Sequence, residues 1–82
     1  MDVTELEKIF TKYPELKNFI TAGVISHKRA CRLLGDMGLP LQGWEMDDLT
    51  DQLILIGAVK PLKGRSWTAT PDCILYMEER VK

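Results

Sequence analysis

Histidine and cysteine are scarce in this sequence, and their scarcity excludes the commonest metal centres. One histidine and two scattered cysteines, Cys31 and Cys73, cannot supply a structural zinc site, whose ligands come in close pairs. Each cysteine falls inside an amphipathic helical pattern, where a thiol behaves as a small core residue, so buried free thiols are expected rather than a disulfide. Long hydrophobic runs are also missing. The longest, Leu53 to Val59, is far below the ~20 residues a membrane helix needs. Neither sign of charge dominates: the net charge of -1 gives no global attraction for nucleic acid, so any such binding must rest on local patches. The opening Met1-Asp2-Val3-Thr4-Glu5 carries acids and lacks the basic-then-apolar order of a signal peptide, so a cytoplasmic location is expected.

Catalytic constellations are equally thin. Ser26 and His27 adjoin at an expected helix start, where the serine serves better as a cap than as a nucleophile, and no second histidine exists. Gly35, Gly38 and Gly43 are not followed by the Lys-Ser/Thr of a phosphate-cradling loop. Asp47, Asp48 and Asp51 lack the loop spacing of a calcium site. We therefore expect no enzyme, no metal, no cofactor and no small-molecule substrate.

What is present is one soluble-type domain spanning residues 1–82, with 45% hydrophobic and 28% charged residues. A chain of this size buries only roughly 60% of its unfolded surface, so its core has little margin. Thr4 followed by Glu7 has the form of a capping box, and Leu6, Ile9, Phe10 and Tyr13 recur behind it at helical spacing. Pro14 predicts a kink or restart, after which Leu16, Phe19 and Ile20 continue the apolar stripe to Gly23. Val24-Ile25 is a short extended step. Ser26 caps a second helix with Ala30, Leu33, Leu34 and Met37 inward and Lys28, Arg29 and Arg32 outward, ended by Gly38. Residues 38–43 read as a loop.

The third helix follows, with Met46, Leu49, Leu53 and Ile56 facing the core and Trp44, Asp47, Asp48, Asp51, Ile54 and Leu55 on the far side. After Gly57, two extended runs flank Lys63-Gly64-Arg65-Ser66, which predicts a β-hairpin with Val59 and Trp67 inward and Pro61 where no ladder donor is needed. Thr70-Pro71-Asp72 opens a last helix whose predicted buried stripe is Ile74, Met77 and Val81, with Leu75 and Tyr76 off it.

Helix, short strand, helix, helix, hairpin and closing helix together resemble the winged-helix superfamily, an α+β and mainly α fold. Three segments carry the resemblance: Ile20 to Ser26 leading into the second helix, Leu49-x3-Leu53-x2-Ile56-Gly57-Ala58-Val59, and Gly64 to Pro71 as a wing returning into a C-terminal helix. The last is also similar to small phage-encoded regulators. The resemblance implies DNA binding, with helix three in the major groove and the wing on a flanking groove or phosphate. The charges depart from that pattern, because helix three offers three aspartates and no cation on its outer face. Each aspartate within ~4 Å of a phosphate costs about 1 kcal/mol in water.

Two surfaces are therefore candidates. Trp44, Asp47, Asp48, Asp51, Ile54 and Leu55 form an acidic-apolar patch suited to a protein partner or a second copy of the chain. The plainer account is that first-turn acids favour the helix dipole. His27, Lys28, Arg29, Arg32, Lys60, Lys63 and Arg65 form a basic set suited to nucleic acid or another anion. The plainer account there is a solvated face and a charged, protected hairpin edge. Three readings follow: a non-catalytic interaction module of a prokaryotic or phage regulator, a DNA-binding transcription regulator docking through the basic set, and a phage inhibitor of a host nucleic-acid-binding protein.

Overall fold

The computed structural model describes the backbone of residues 1–80 and the side chains of residues 1–79. Within them the chain runs α1 (Val3–Lys12), a 3-10 helix (Pro14–Asn18), β1 (Ile25–Ser26), α2 (His27–Asp36), α3 (Gly43–Leu55), β2 (Val59–Leu62), β3 (Ser66–Ala69) and α4 (Pro71–Arg80). This is a small, mainly helical α+β domain. Its three strands form one antiparallel sheet in the order β1-β3-β2. Among the described residues no helix is long and apolar enough to cross a membrane.

The helix starts are built from local hydrogen bonds. Asp2, not Thr4, caps α1, with its carboxylate accepting from Glu5 N at 3.1 Å. Tertiary structure decides between the two, because Asp2 N also donates to Ile56 O at the end of α3. Pro14 opens the 3-10 helix, the restart that the sequence predicts. Ser26 caps α2 through Arg29 N, and Glu45 reaches back to Gln42 N to fix the start of α3.

Two helices end alike. Gly38 (φ +88) follows α2, with Leu39 N bonding Leu34 O and Gly38 N bonding Gly35 O. Gly57 (φ +80) follows α3, with Ala58 N bonding Leu53 O and Gly57 N bonding Ile54 O. This paired arrangement satisfies carbonyls that a helix end otherwise leaves open, and it needs a left-handed residue.

Beyond Gly57 the chain enters β2 directly. Val59 pairs with Ala69 and Pro61 with Trp67. Since Thr70 N donates to Ala58 O, the alternation of an antiparallel ladder puts Pro61 in a non-hydrogen-bonded pair on an edge strand. Pro61 therefore costs the ladder nothing.

The core is formed by Leu6, Phe10, Leu16, Ile20, Ile25, Leu34, Met46, Leu49, Leu53 and Trp67, joined by Cys73 from α4. The expected α4 stripe is shifted by one position. Cys73 is fully buried, Ile74 is 37% exposed, Met77 is half-buried, and Tyr76 also packs on the core. Val81 lies outside the described residues. Met37 and Val24 are exposed, so the inward faces around α2 are narrower than their apolar spacing suggests.

The left-handed turn at Gly57 generates a prediction. Gly57→Ala is expected to cost roughly 1–2 kcal/mol, the penalty of a side chain in that conformation. A Cβ there would meet Met1 at an ordinary 3.5 Å, so the cost is conformational. Gly35→Ala, within α2 and facing open space, is expected to stabilise by up to about 1 kcal/mol. Urea unfolding of both variants checks this; equal effects would contradict it.

Candidate functional site

The outward side of α3 follows from what its inward side buries. Met46, Leu49 and Leu53 are fully buried, so the helix must turn Trp44, Asp48, Asp51 and Leu55 the other way. At 3.6 residues per turn these four fall within about 60° of arc, and Trp44 and Leu55 stand about 16 Å apart along the axis. Trp44 is 72% exposed and Leu55 86%. Ile54, expected on the same face, is only half-buried and packs on the core edge, and Ile56 is likewise half-buried.

The acids of α3 divide by what they touch. Glu45 belongs to the helix start. Asp48 accepts from Gln52 Nε2 one turn on, at 3.2 Å. Asp47 Oδ1 receives Arg65 Nη2 at 2.7 Å and His27 Nδ1 at 3.2 Å. Among the described residues Asp51 makes neither an ion pair nor a side-chain hydrogen bond. The dipole argument thus accounts for Glu45 but not for the rest of the acidic face.

Asp47 ties three segments together: its own helix, the start of α2 and the hairpin tip. Arg65 adopts φ +54, the one non-glycine residue with positive φ among the described residues. Such a conformation persists only where the surroundings hold it. Here the Arg65 carbonyl accepts from His27 N at 2.8 Å while its guanidinium meets Asp47. The carboxylate facing the α2 start is therefore supplied by the chain itself. Cys31 sits one turn beyond His27, its Sγ 3.9 Å from Nε2. Burial pushes the Cys31 thiol up, the Asp47 carboxylate adds to the rise, and Arg65 opposes it. Burial alone raises Cys73. Both cysteines are free thiols.

The remaining basic residues are spread out. Lys28, Arg29 and Arg32 are exposed on α2, and Lys60 and Lys63 on the hairpin. Among the described residues none of these five is engaged in an ion pair. Of the basic set, Arg65 and His27 reach α3, both at Asp47.

Between α3 and the hairpin lies a groove of about 160 Å³, lined by His27, Asp47, Thr50, Asp51, Ile54, Pro61, Leu62, Arg65, Ser66 and Trp67. Thr50 Oγ1 and Trp67 Nε1 are both buried without a hydrogen-bond partner. Each such orphan costs about 1–3 kcal/mol. Sequence reasoning placed Trp67 in the core but missed this groove. Apolar periodicity reports that an indole is inward, not whether its N–H is met. Among the described residues no cluster of three or more His, Cys, Asp or Glu is placed to hold a metal ion.

The Asp47 link can be tested as a pair. Both side chains are more than half exposed, so a double-mutant cycle of Asp47→Asn and Arg65→Gln is expected to give a coupling below about 1 kcal/mol that shrinks with salt. Arg65→Gly is expected to be more stable than Arg65→Ala by about 1 kcal/mol, since glycine relieves the left-handed strain. Thermal unfolding of the set checks both. A glycine variant no better than alanine would contradict the strain.

Comparison with protein-family models, with curated proteins and with solved structures returned no match.

Proposed function

We propose that this chain is a winged-helix domain acting as a non-catalytic interaction module, and that it meets a protein partner through the outward ridge of α3. The element order supports the fold reading, with β1 joining a hairpin that returns beside α3 into a closing helix. One observation carries the functional reading: Trp44 and Leu55 lie largely exposed on the same ridge as Asp48 and Asp51. A large apolar side chain gains about 1.5–3 kcal/mol on full burial, and aromatic anchors dominate protein interfaces. Neither side chain belongs to the core that the described residues form. A small regulator, prokaryotic or phage-borne, is the setting in which such a module fits.

The second reading is DNA binding through Lys28, Arg29, Arg32, Lys60 and Lys63, favoured by their having no ion pair among the described residues. Two features weigh against it. The helix that would enter the major groove presents carboxylates to the phosphates, and Arg65 at the hairpin tip is already held by Asp47. A third reading, inhibition of a host nucleic-acid-binding protein, uses the same α3 ridge.

Trp44→Ala/Leu55→Ala is expected to abolish capture of a discrete protein partner from lysate while leaving the unfolding midpoint nearly unchanged. Capture should survive nuclease treatment and vary little with salt. Phosphate docking would instead lower log affinity by ~0.9 per contact for each log unit of salt, and captured material would vanish after nuclease. Persistence of capture by the double variant would rule out the ridge.

A further inference from the structure

We infer that the partner presents a basic amphipathic helix, with one long cationic side chain seated in the groove between α3 and the hairpin beside Asp51. This rests on the reading of α3 as the contact surface and names the chemistry of its occupant. The argument begins with spacing. Residues 44, 48, 51 and 55 are four, three and four apart, the spacing of positions that face a second helix packed alongside. Along that seam the order is apolar, acidic, acidic, apolar. The complement is a helix with apolar residues at its seam ends and cations at its two central positions.

A second copy of this chain does not satisfy that pattern. Twofold pairing of α3 with α3 sets Trp44 opposite the other Leu55, but sets Asp48 opposite the other Asp51, gathering four carboxylates at the centre. Addition of a strand is disfavoured as well, since Pro61 offers the free edge of β2 no N–H. Nucleic acid meets the same carboxylates with the wrong sign.

The groove adds an independent observation. Asp51 stands both on the ridge and at the groove's rim, and among the described residues its carboxylate has no cation, while Asp47 one turn earlier has the Arg65 guanidinium and the His27 ring. Below it, Ile54, Pro61, Leu62 and Trp67 provide walls for a hydrocarbon stem. Trp67 is 1% exposed and its unpartnered indole N–H is a donor that a lysine or arginine head cannot meet, so the sign of the occupant's charge rests on Asp48 and Asp51. At about 160 Å³ the space suits one side chain rather than a cofactor. A lysine or arginine lying along these walls sets its stem against them and its head beside Asp51.

The test uses three 18-residue helical peptides that differ only at their two central seam positions, which hold lysine, alanine or glutamate. Calorimetric titration of the full chain is expected to show binding of the lysine peptide at least tenfold tighter than of the other two. Asp51→Asn and Leu62→Ala should each weaken it about fivefold, the loss of one partly screened contact, while Asp36→Asn on α2 should leave it unchanged. Equal binding of all three peptides, no binding of the lysine peptide, or equal effects of Asp51→Asn and Asp36→Asn would overturn the inference. If the alanine peptide binds as well as the lysine peptide and Trp44→Ala/Leu55→Ala removes both, the ridge stands as a contact surface and only the basic partner is lost.

Discussion

The C-terminal end of α3 is the joint on which the domain depends. A helix leaves its last carbonyls without partners, and here the carbonyls at and just past its end are met from several parts of the chain. Leu53 O and Ile54 O are closed by Ala58 and Gly57 within the turn, Ile56 O by Asp2 at the head of α1, and Gly57 O by the Thr70 hydroxyl at the head of α4. Thr70 also takes Cys73 N, so one side chain ends one helix and begins another. This joint needs a residue that tolerates φ +80, and glycine stands there.

Everything of functional interest is downstream of that joint. Because the chain turns at Gly57 after α3 and the next two residues, Ala58 and Val59, are buried, the hairpin folds back beside the helix. That return brings Trp67, Pro61 and Leu62 against Thr50, Asp51 and Ile54, and carries Arg65 to Asp47. The same inward burial of Met46, Leu49 and Leu53 obliges Trp44, Asp48, Asp51 and Leu55 to face out. The groove and the ridge are thus two consequences of a single helix orientation, and the proposed partner reads both at once.

Much of the fold was legible because local signals agreed with tertiary needs. Ser26, Gly38, Gly57 and Thr70-Pro71 each mark a boundary that holds in three dimensions. The misses have physical reasons. Thr4-Glu7 resembles a cap, yet Asp2 does the capping, since its backbone is anchored to α3. In α4 the apolar spacing around Ile74 is as regular as that around Cys73, and only packing against β3 and the core decides which side is buried. Candidate site residues on α3 were readable from helical phase, apart from Ile54, which the hairpin side partly covers. The Asp47–Arg65 pair was not readable: it joins residues 18 apart and requires an arginine in a left-handed backbone. The unpartnered Trp67 N–H was invisible for a similar reason, because satisfaction of a buried donor is a property of neighbours that no spacing encodes.

The central claim is that α3 presents its outer face, and not the basic residues, to a macromolecular partner. Amide and indole chemical-shift mapping during titration tests it most directly, with a lysine-bearing helix and a short DNA duplex compared on the same labelled chain. The account predicts that the helix shifts the amides of Trp44, Asp48, Asp51 and Leu55 together with the Trp67 indole N–H, while the duplex leaves them in place. Shifts produced by the duplex at Lys28, Arg29, Arg32, Lys60 and Lys63, with α3 silent toward the peptide, would contradict it.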